Sequence, residues 1–182
     1  RLVLAEKDIG IINTLHSGLE GAGKIFKAVN SGNPIIGFCL NGIDLPEKLL
    51  RFGITTDKRY SWVRPNISDD MLPHFLRGWY DGDGHIGGKP IMTLTNINEE
   101  AILYFEEKIR YLGYIGNGFI KNRLGSGYSR VYKVENNVVG KLGKNRDVWR
   151  HTITGKENCT LMYKLLHGGS SLCLDRKWEI LE

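Results

Sequence analysis

Asp81-Gly-Asp-Gly84 ends an amphipathic stretch that begins near Ser68 and sets two carboxylates a single residue apart. If that stretch is a helix, both acids stand at its carboxyl end, where the dipole is negative and a carboxylate is unfavourable unless a cation compensates. A divalent metal supplies such a charge. Carboxylate and carbonyl oxygens are hard ligands suited to Mg2+, and Gly82 has no side chain to obstruct approach to its own carbonyl. Taken alone, the tetrapeptide suits a surface turn equally well.

The element that positions these groups reads as a helix over Ser68 to Tyr80, with Ser68, Asp69 and Asp70 available as caps and Pro73 tolerated in the first turn. Phe75, Gly78, Trp79 and Gly82 follow the i, i+3, i+4, i+7 spacing of one helical stripe. Glycine inside a helix costs about 1 kcal/mol relative to alanine. Close approach of a second helix explains two glycines on one stripe; so does a weakened helix end running into a turn.

Around this helix the chain repeats itself. Leu2, Val3 and Leu4 read as a strand, and Ile9, Ile12, Leu15 and Leu19 as a helix that stops at Gly21. The same order returns as a strand over Ile91 to Thr95 and a helix from Asn98 through Ile102, Phe105, Ile109 and Leu112 to Gly113. Phe38 to Leu50 matches Thr152 to Leu166 as strand followed by helix, and each copy then reaches Asp-Lys or Asp-Arg-Lys. Each copy should be preceded by a helix of its own, and only the second has one, so an N-terminal segment or a separate polypeptide is expected to supply the other. The halves divide as 1–67 and 68–182.

Phe75-Leu-Arg-Gly-Trp-Tyr-Asp-Gly-Asp-Gly-His-Ile86 resembles the signature of the LAGLIDADG homing endonucleases. The resemblance implies an α+β fold: a pseudo-symmetric pair of αββαββα units, each with a four-stranded antiparallel sheet for DNA, the first unit here lacking its leading helix. It implies two signature helices packed side by side, with the last acid of each motif at a scissile phosphate. Asp83 takes that place, Gly82 adds a carbonyl ligand, and Asp81 becomes a capping or structural group. Leu76, Trp79 and Tyr80 then face the core or the partner helix, and Arg77 meets solvent or backbone. Gly53-Ile-Thr-Thr-Asp-Lys58 resembles the family's approach to its second motif, which makes Lys58, and Lys177 in the other copy, candidates to polarise the attacking water or to stabilise charge on phosphorus.

The activity so implied is site-specific hydrolysis of double-stranded DNA with Mg2+ or Mn2+, Ca2+ serving as a non-cleaving substitute, each strand cut by in-line attack. Two strands need two acids, and only one motif is evident. A cleavage-deficient DNA- or RNA-binding relative, such as a maturase or a regulator, is the alternative.

Strand alternation then nominates the residues that read DNA. Thr93 and Thr95, Lys121 and Arg123, Arg130 and Tyr132, and Arg150, Thr152 and Thr154 are expected on one face, with Trp149, His151 and Ile153 on the other. Gly116 to Val134 reads as a hairpin turning at Gly125-Ser-Gly127. Lys24, Phe26, Lys27 and Asn30 are the weaker counterparts in the first copy, and Lys141, Lys144, Arg146 and Arg150 are candidates for phosphate contacts.

Bulk properties are compatible with this. At 182 residues, 41% hydrophobic and 25% charged, the chain can bury one good core or two small ones. A net charge of +5 points modestly to a polyanionic partner. Cys39, Cys159 and Cys173 are odd in number and widely spaced, which supports neither a disulfide framework nor a zinc site. No apolar run approaches the roughly 20 residues of a bilayer span, and no signal-peptide pattern opens the chain, so a soluble, intracellular protein is expected. A small-molecule enzyme using Asp81 and Asp83 as an acid–base pair would need further histidines or carboxylates nearby, and beyond His85 the sequence places none.

Overall fold

Among the described residues, alternating and helical apolar patterns condense into two main sheets, each backed by helices, and one short two-stranded ladder. A computed structural model of the chain describes residues 2–40, 45–54, 62–123, 133–134, 137–138, 148–168 and 172–179. In the first half, β1 (Leu2–Ala5) passes through a 3-10 turn at Glu6–Asp8 into α1 (Ile9–Gly18). β2 (Lys24–Asn30), β3 (Asn33–Cys39) and α2 (Leu45–Arg51) follow. Ser31 and Gly32 join β2 to β3 with positive φ at both positions, 50° and 81°, the backbone that a two-residue hairpin loop matched to strand twist requires. The sheet runs β1-β3-β2, all antiparallel. Its small core holds Ile12 of α1 against Ile36 and Phe38.

The second half begins with α3 (Leu72–Asp83), β4 (Gly84–Ile86), β5 (Ile91–Asn96), α4 (Glu99–Tyr111) and β6 (Phe119–Arg123). A short ladder of β7 (Lys133–Val134) and β8 (Asn137–Val138) precedes β9 (Val148–Thr154), α5 (Lys156–Leu166) and α6 (Asp175–Trp178). The main sheet is antiparallel in the order β4-β5-β9-β6. The repeat is therefore topological: β1-α1-β2-β3-α2 corresponds to β5-α4-β6-β9-α5, and the order β1-β3-β2 to β5-β9-β6. Among the described residues, α3 and β4 have no counterpart in the first half.

Period-two alternation explains how the second sheet divides its faces. Met92 and Leu94 of β5 and Ile153 of β9 point into a core closed by Ile102, Phe105 and Ile109 of α4, Leu72, Leu76 and Tyr80 of α3, and Met162 of α5. His151 lies on the same face and is buried, its Nε2 2.5 Å from the Glu106 carboxylate, which also accepts from Arg110 Nε at 2.8 Å. Burial pushes the Glu106 carboxyl up, but the bonds from His151 and Arg110 outweigh it and hold it below the usual value. The helix start expected at Asn98 is present, with the Asn98 side chain accepting the Glu100 N–H at 3.0 Å and Gly113 at φ 97° just past the end of α4.

Two expected boundaries differ. The motif helix starts at Leu72 rather than Ser68 and makes no side-chain cap. Asp69 instead accepts the Tyr111 hydroxyl at 2.7 Å, a tertiary bond that removes it from capping. The helix also runs past Tyr80 to Asp83, because the Asp81 side chain is bonded to another segment and does not terminate its own helix. The hairpin expected over Gly116 to Val134 has β6 as its first arm, and β6 pairs with β9; the turn and the residues 124–132 lie outside the described residues.

Phe105, fully buried against the rings of Trp79, Tyr80 and His151, anchors the second core. Phe105→Ala is expected to lower stability by about 3–5 kcal/mol in urea denaturation. Phe52→Ala, at a ring 49% exposed, is the control that should change little.

Candidate functional site

The site is built on the two sides of α3. On its back, Arg77 and Asp81, one turn apart, are both buried. Arg77 donates from Nε to Leu172 O and from Nη1 to Leu166 O, each at 3.0 Å, and from Nη2 to His74 Nδ1 at 2.8 Å. Asp81 accepts the Leu174 N–H at 3.1 Å on one oxygen and Trp178 Nε1 at 2.8 Å on the other. Burial pushes the Asp81 carboxyl above the usual range, against the pull of those two bonds and of Lys177. Tyr80 buries its ring and donates its hydroxyl to His85 O at 2.9 Å; burial also holds that hydroxyl well above the ordinary tyrosine value.

At the carboxyl end of α3 the cation demanded by the helix dipole is already in the chain. Lys177 Nζ donates to Tyr80 O at 3.3 Å, to Gly84 O at 2.6 Å and to Asp81 O. An ammonium has three N–H groups, and three carbonyls take them. Burial lowers the Lys177 pKa, while Asp81 and Asp83 act in the opposite sense. The dipole thus does not by itself require a metal. Gly84 is fixed by the same closeness, since a Cβ there would lie 2.4 Å from Tyr80 O.

Among the described residues, the front of α3 borders a groove. Phe75, Gly78, Trp79 and Gly82 line a largely apolar groove of about 560 Å3, with Trp62 stacked on Trp79 at 5.4 Å. Apart from chain neighbours and the backbone of α3 itself, no described residue comes within 4 Å of where a Cβ on Gly78 or Gly82 would sit. A second groove, of about 400 Å3, runs over the sheet past His85, Lys89, Thr93, Thr95 and Arg150. Asp83 is exposed and lines both grooves.

Register brings the sheet candidates together. Thr93 stands opposite Thr152, which stands opposite Phe119; Thr95 stands opposite Arg150, which stands opposite Lys121. Thr154 pairs with Ile91 and Arg123 with Val148 at the ends of the ladders. Lys121 and Arg150 are like charges directly across strands, an arrangement that is destabilising without an anion. Arg150 Nε is buried with no hydrogen-bond partner among the described residues.

In the first sheet Lys24 and Lys27 fall on opposite faces, three residues apart on one strand. Lys27 shares the face of Ile36, which packs on α1, and its Nζ is 2.8 Å from Glu6. Lys24 shares the other face with Phe26. Lys58, Arg130, Tyr132, Lys141, Lys144 and Arg146 lie outside the described residues. No group of three or more His, Cys, Asp or Glu that would hold a metal occurs among the described residues. No described helix is long and apolar enough to cross a membrane. Sequence reading named His85 as the histidine near the two acids but missed Lys89, which lines the same groove as Asp83 and His85.

The chain is an α+β protein of two antiparallel sheets with helices behind them. Its fold is similar to that of a solved structure from a study of mesophilic variants of the homing endonuclease I-DmoI: the TM-score is 0.51 and the identity 10%, covering 94% of this chain and 80% of that one. No family model and no curated protein sequence matches the chain.

The buried Asp81 has a pH signature. Its raised pKa means that the folded chain holds the proton to higher pH than the unfolded chain, so the associated stabilisation is complete in acid and is lost as pH rises through the raised value. The stability of the wild type minus that of Asp81→Asn, from urea melts across the carboxylate range, should fall as pH rises. A flat difference contradicts this.

Proposed function

We propose that the chain is a site-specific endonuclease that hydrolyses phosphodiester bonds of double-stranded DNA with a divalent metal. One observation carries the reading: Asp83 lies where the groove along the glycine stripe meets the groove over the sheet. A carboxylate there serves two partners, a duplex on the sheet and a second helix on the stripe. The fold it shares with a homing endonuclease structure supports the reading.

The stripe groove is the seat of a second acidic helix, supplied by a separate polypeptide or by a further stretch of the same protein. Gly78 and Gly82 allow its backbone to approach closely. Among the described residues the outer edge of β1 has no partner strand, whereas its counterpart β5 pairs with β4, so a strand following that helix would have a place to pair.

Asp83 and the Gly82 carbonyl suit Mg2+ or Mn2+, since such ions take one or two carboxylates and fill their remaining positions with phosphate oxygens and water. Lys177 bonds the carbonyls of Tyr80, Asp81 and Gly84, and Gly82 is not among its partners. When bound, the ion supplies Lewis-acid stabilisation of phosphorus-borne charge and a more acidic water. The chain's own residues orient the duplex: Arg150 and the threonines Thr93, Thr95, Thr152 and Thr154 read from the sheet floor. Lys121, Arg123 and Lys24 are proposed to take phosphates; Arg130, Tyr132 and Arg146, outside the described residues, are proposed as further DNA contacts and Lys58, likewise outside them, as a further catalytic group. Lys27, paired with Glu6 on the helix side, is the weakest of these assignments.

A binding-only relative is favoured by one observation, that the Lys177 ammonium is fully engaged. The test separates the two. Duplexes selected from a randomised library in Ca2+ should be cut on transfer to Mg2+, and Asp83→Asn should bind them with unchanged affinity and leave one or both strands intact. Tight binding without cutting by the wild type would leave only the binding reading. Lys121→Met should weaken binding evenly across sequences and reduce the slope of log K against log salt by about one.

A further inference from the structure

Segment 172–179, which contains the Asp-Arg-Lys that ends the second copy, is bonded to the carboxyl-terminal half of the motif helix. Leu172 O accepts from Arg77, Leu174 N and Trp178 Nε1 donate to Asp81, and Lys177 holds three carbonyls of the last turn and the residue after it. Trp178, 1% exposed, packs its ring on Tyr80 at 5.6 Å and on Tyr163 at 5.8 Å. One residue before Lys177, Arg176 reaches the other way. Its Nε and Nη2 lie 2.6 and 2.9 Å from the two oxygens of Asp8, a side chain only 4% exposed in the first half of the chain. The short helix α6 thus sends one cation to the end of α3 and the next to the turn between β1 and α1.

We propose that this segment is a positioning clamp. Lys177 aims Asp83 by fixing the turn that carries it, and Arg176 ties the same turn to the first half, so the aim of the acid and the seating of the first sheet are set together. Lys177 is thereby a positioning residue and not a proton carrier. Polarising a water would require it to release one of three carbonyls, leaving a half-buried acceptor beside the Asp83 carboxylate with nothing to offset either. The two-pronged Arg176–Asp8 pair is a geometry that holds direction as well as charge. Removing one partner leaves the buried Asp8 uncompensated.

The proposal rests on Asp83 as the metal-holding acid, and its test has one arm that does not. In the full chain, amide hydrogen exchange is compared for wild type, Lys177→Met, Lys177→Arg and Asp8→Asn. Amides of 81–85 should exchange about tenfold faster in Lys177→Met and in Asp8→Asn, with those of α4 unchanged, and Lys177→Arg should restore protection. Wild-type protection of 81–85 in both variants overturns the clamp, whether or not the chain cuts DNA. On a duplex selected from a randomised library, Lys177→Met should cut about 100-fold more slowly at unchanged affinity in Ca2+, and Lys177→Arg should recover most of the rate with the wild-type pH profile. Restored protection with no restored cutting, or with a lost limb of the pH profile, makes Lys177 a proton carrier and overturns the positioning role. A wild type that neither binds nor cuts removes the endonuclease reading and leaves the exchange result to decide the clamp.

Discussion

A carboxylate at the carboxyl end of a helix faces the unpaired carbonyls of that helix, and in this chain the ammonium of Lys177 makes the arrangement tolerable. The rest of the structure is organised around that contact. Lys177 reaches the end of α3 because Trp178 and Leu174 are bonded to Asp81, and Asp81 can be buried because those two N–H groups meet both of its oxygens. Arg77, one turn earlier, repeats the pattern with two backbone carbonyls. The back of α3 therefore carries buried polar groups that are satisfied, whereas among the described residues its front borders a groove lined by Phe75, Gly78, Trp79 and Gly82. A helix held from behind in this way presents a front on which two glycines lie alongside Phe75 and Trp79.

That division explains why the two acids of the motif have different fates. Asp81 points back into the segment 172–178 and is structural; Asp83, two residues on, is turned by most of half a helical turn toward the grooves and is exposed. The sheet carries the same logic in period two. Ile153 and His151 are buried on one face of β9, while Arg150 stands on the other between Thr95 and Lys121. A cross-strand pair of cations with a buried Nε that has no partner among the described residues is a local cost, and a polyanion on that face would relieve it.

Much of this was legible because it is periodic. The strand and helix repeats, the Asn98 cap, the two faces of β5 and β9, and the glycine stripe all follow from local spacing. What escaped depends on partners distant in sequence. The N-terminal boundary of α3 moved because Asp69 bonds Tyr111, and its C-terminal boundary because Asp81 bonds residues 93 and 97 positions later. No local rule announces that Arg176 finds Asp8 across 168 residues. The helix dipole is compensated by Lys177 and does not by itself call for a metal, and the groups at this end of α3 that suit a metal are the exposed Asp83 and the Gly82 carbonyl. Lys24 and Lys27, nominated together with Phe26 and Asn30 as first-copy counterparts, fall on opposite faces of β2 in its pairing with β3.

The central claim is that Asp83 holds a metal against the DNA backbone. The most direct measurement replaces Mg2+ by Fe2+ in the complex of the full chain with a selected duplex and adds ascorbate and peroxide, so that radicals released at the ion cut whatever lies beside it. Scission of the polypeptide should fall within residues 81–85 and scission of the DNA at a few adjacent nucleotides of one strand, both lost in Asp83→Asn. Cuts elsewhere in the chain, or DNA scission that persists in Asp83→Asn, would contradict the account.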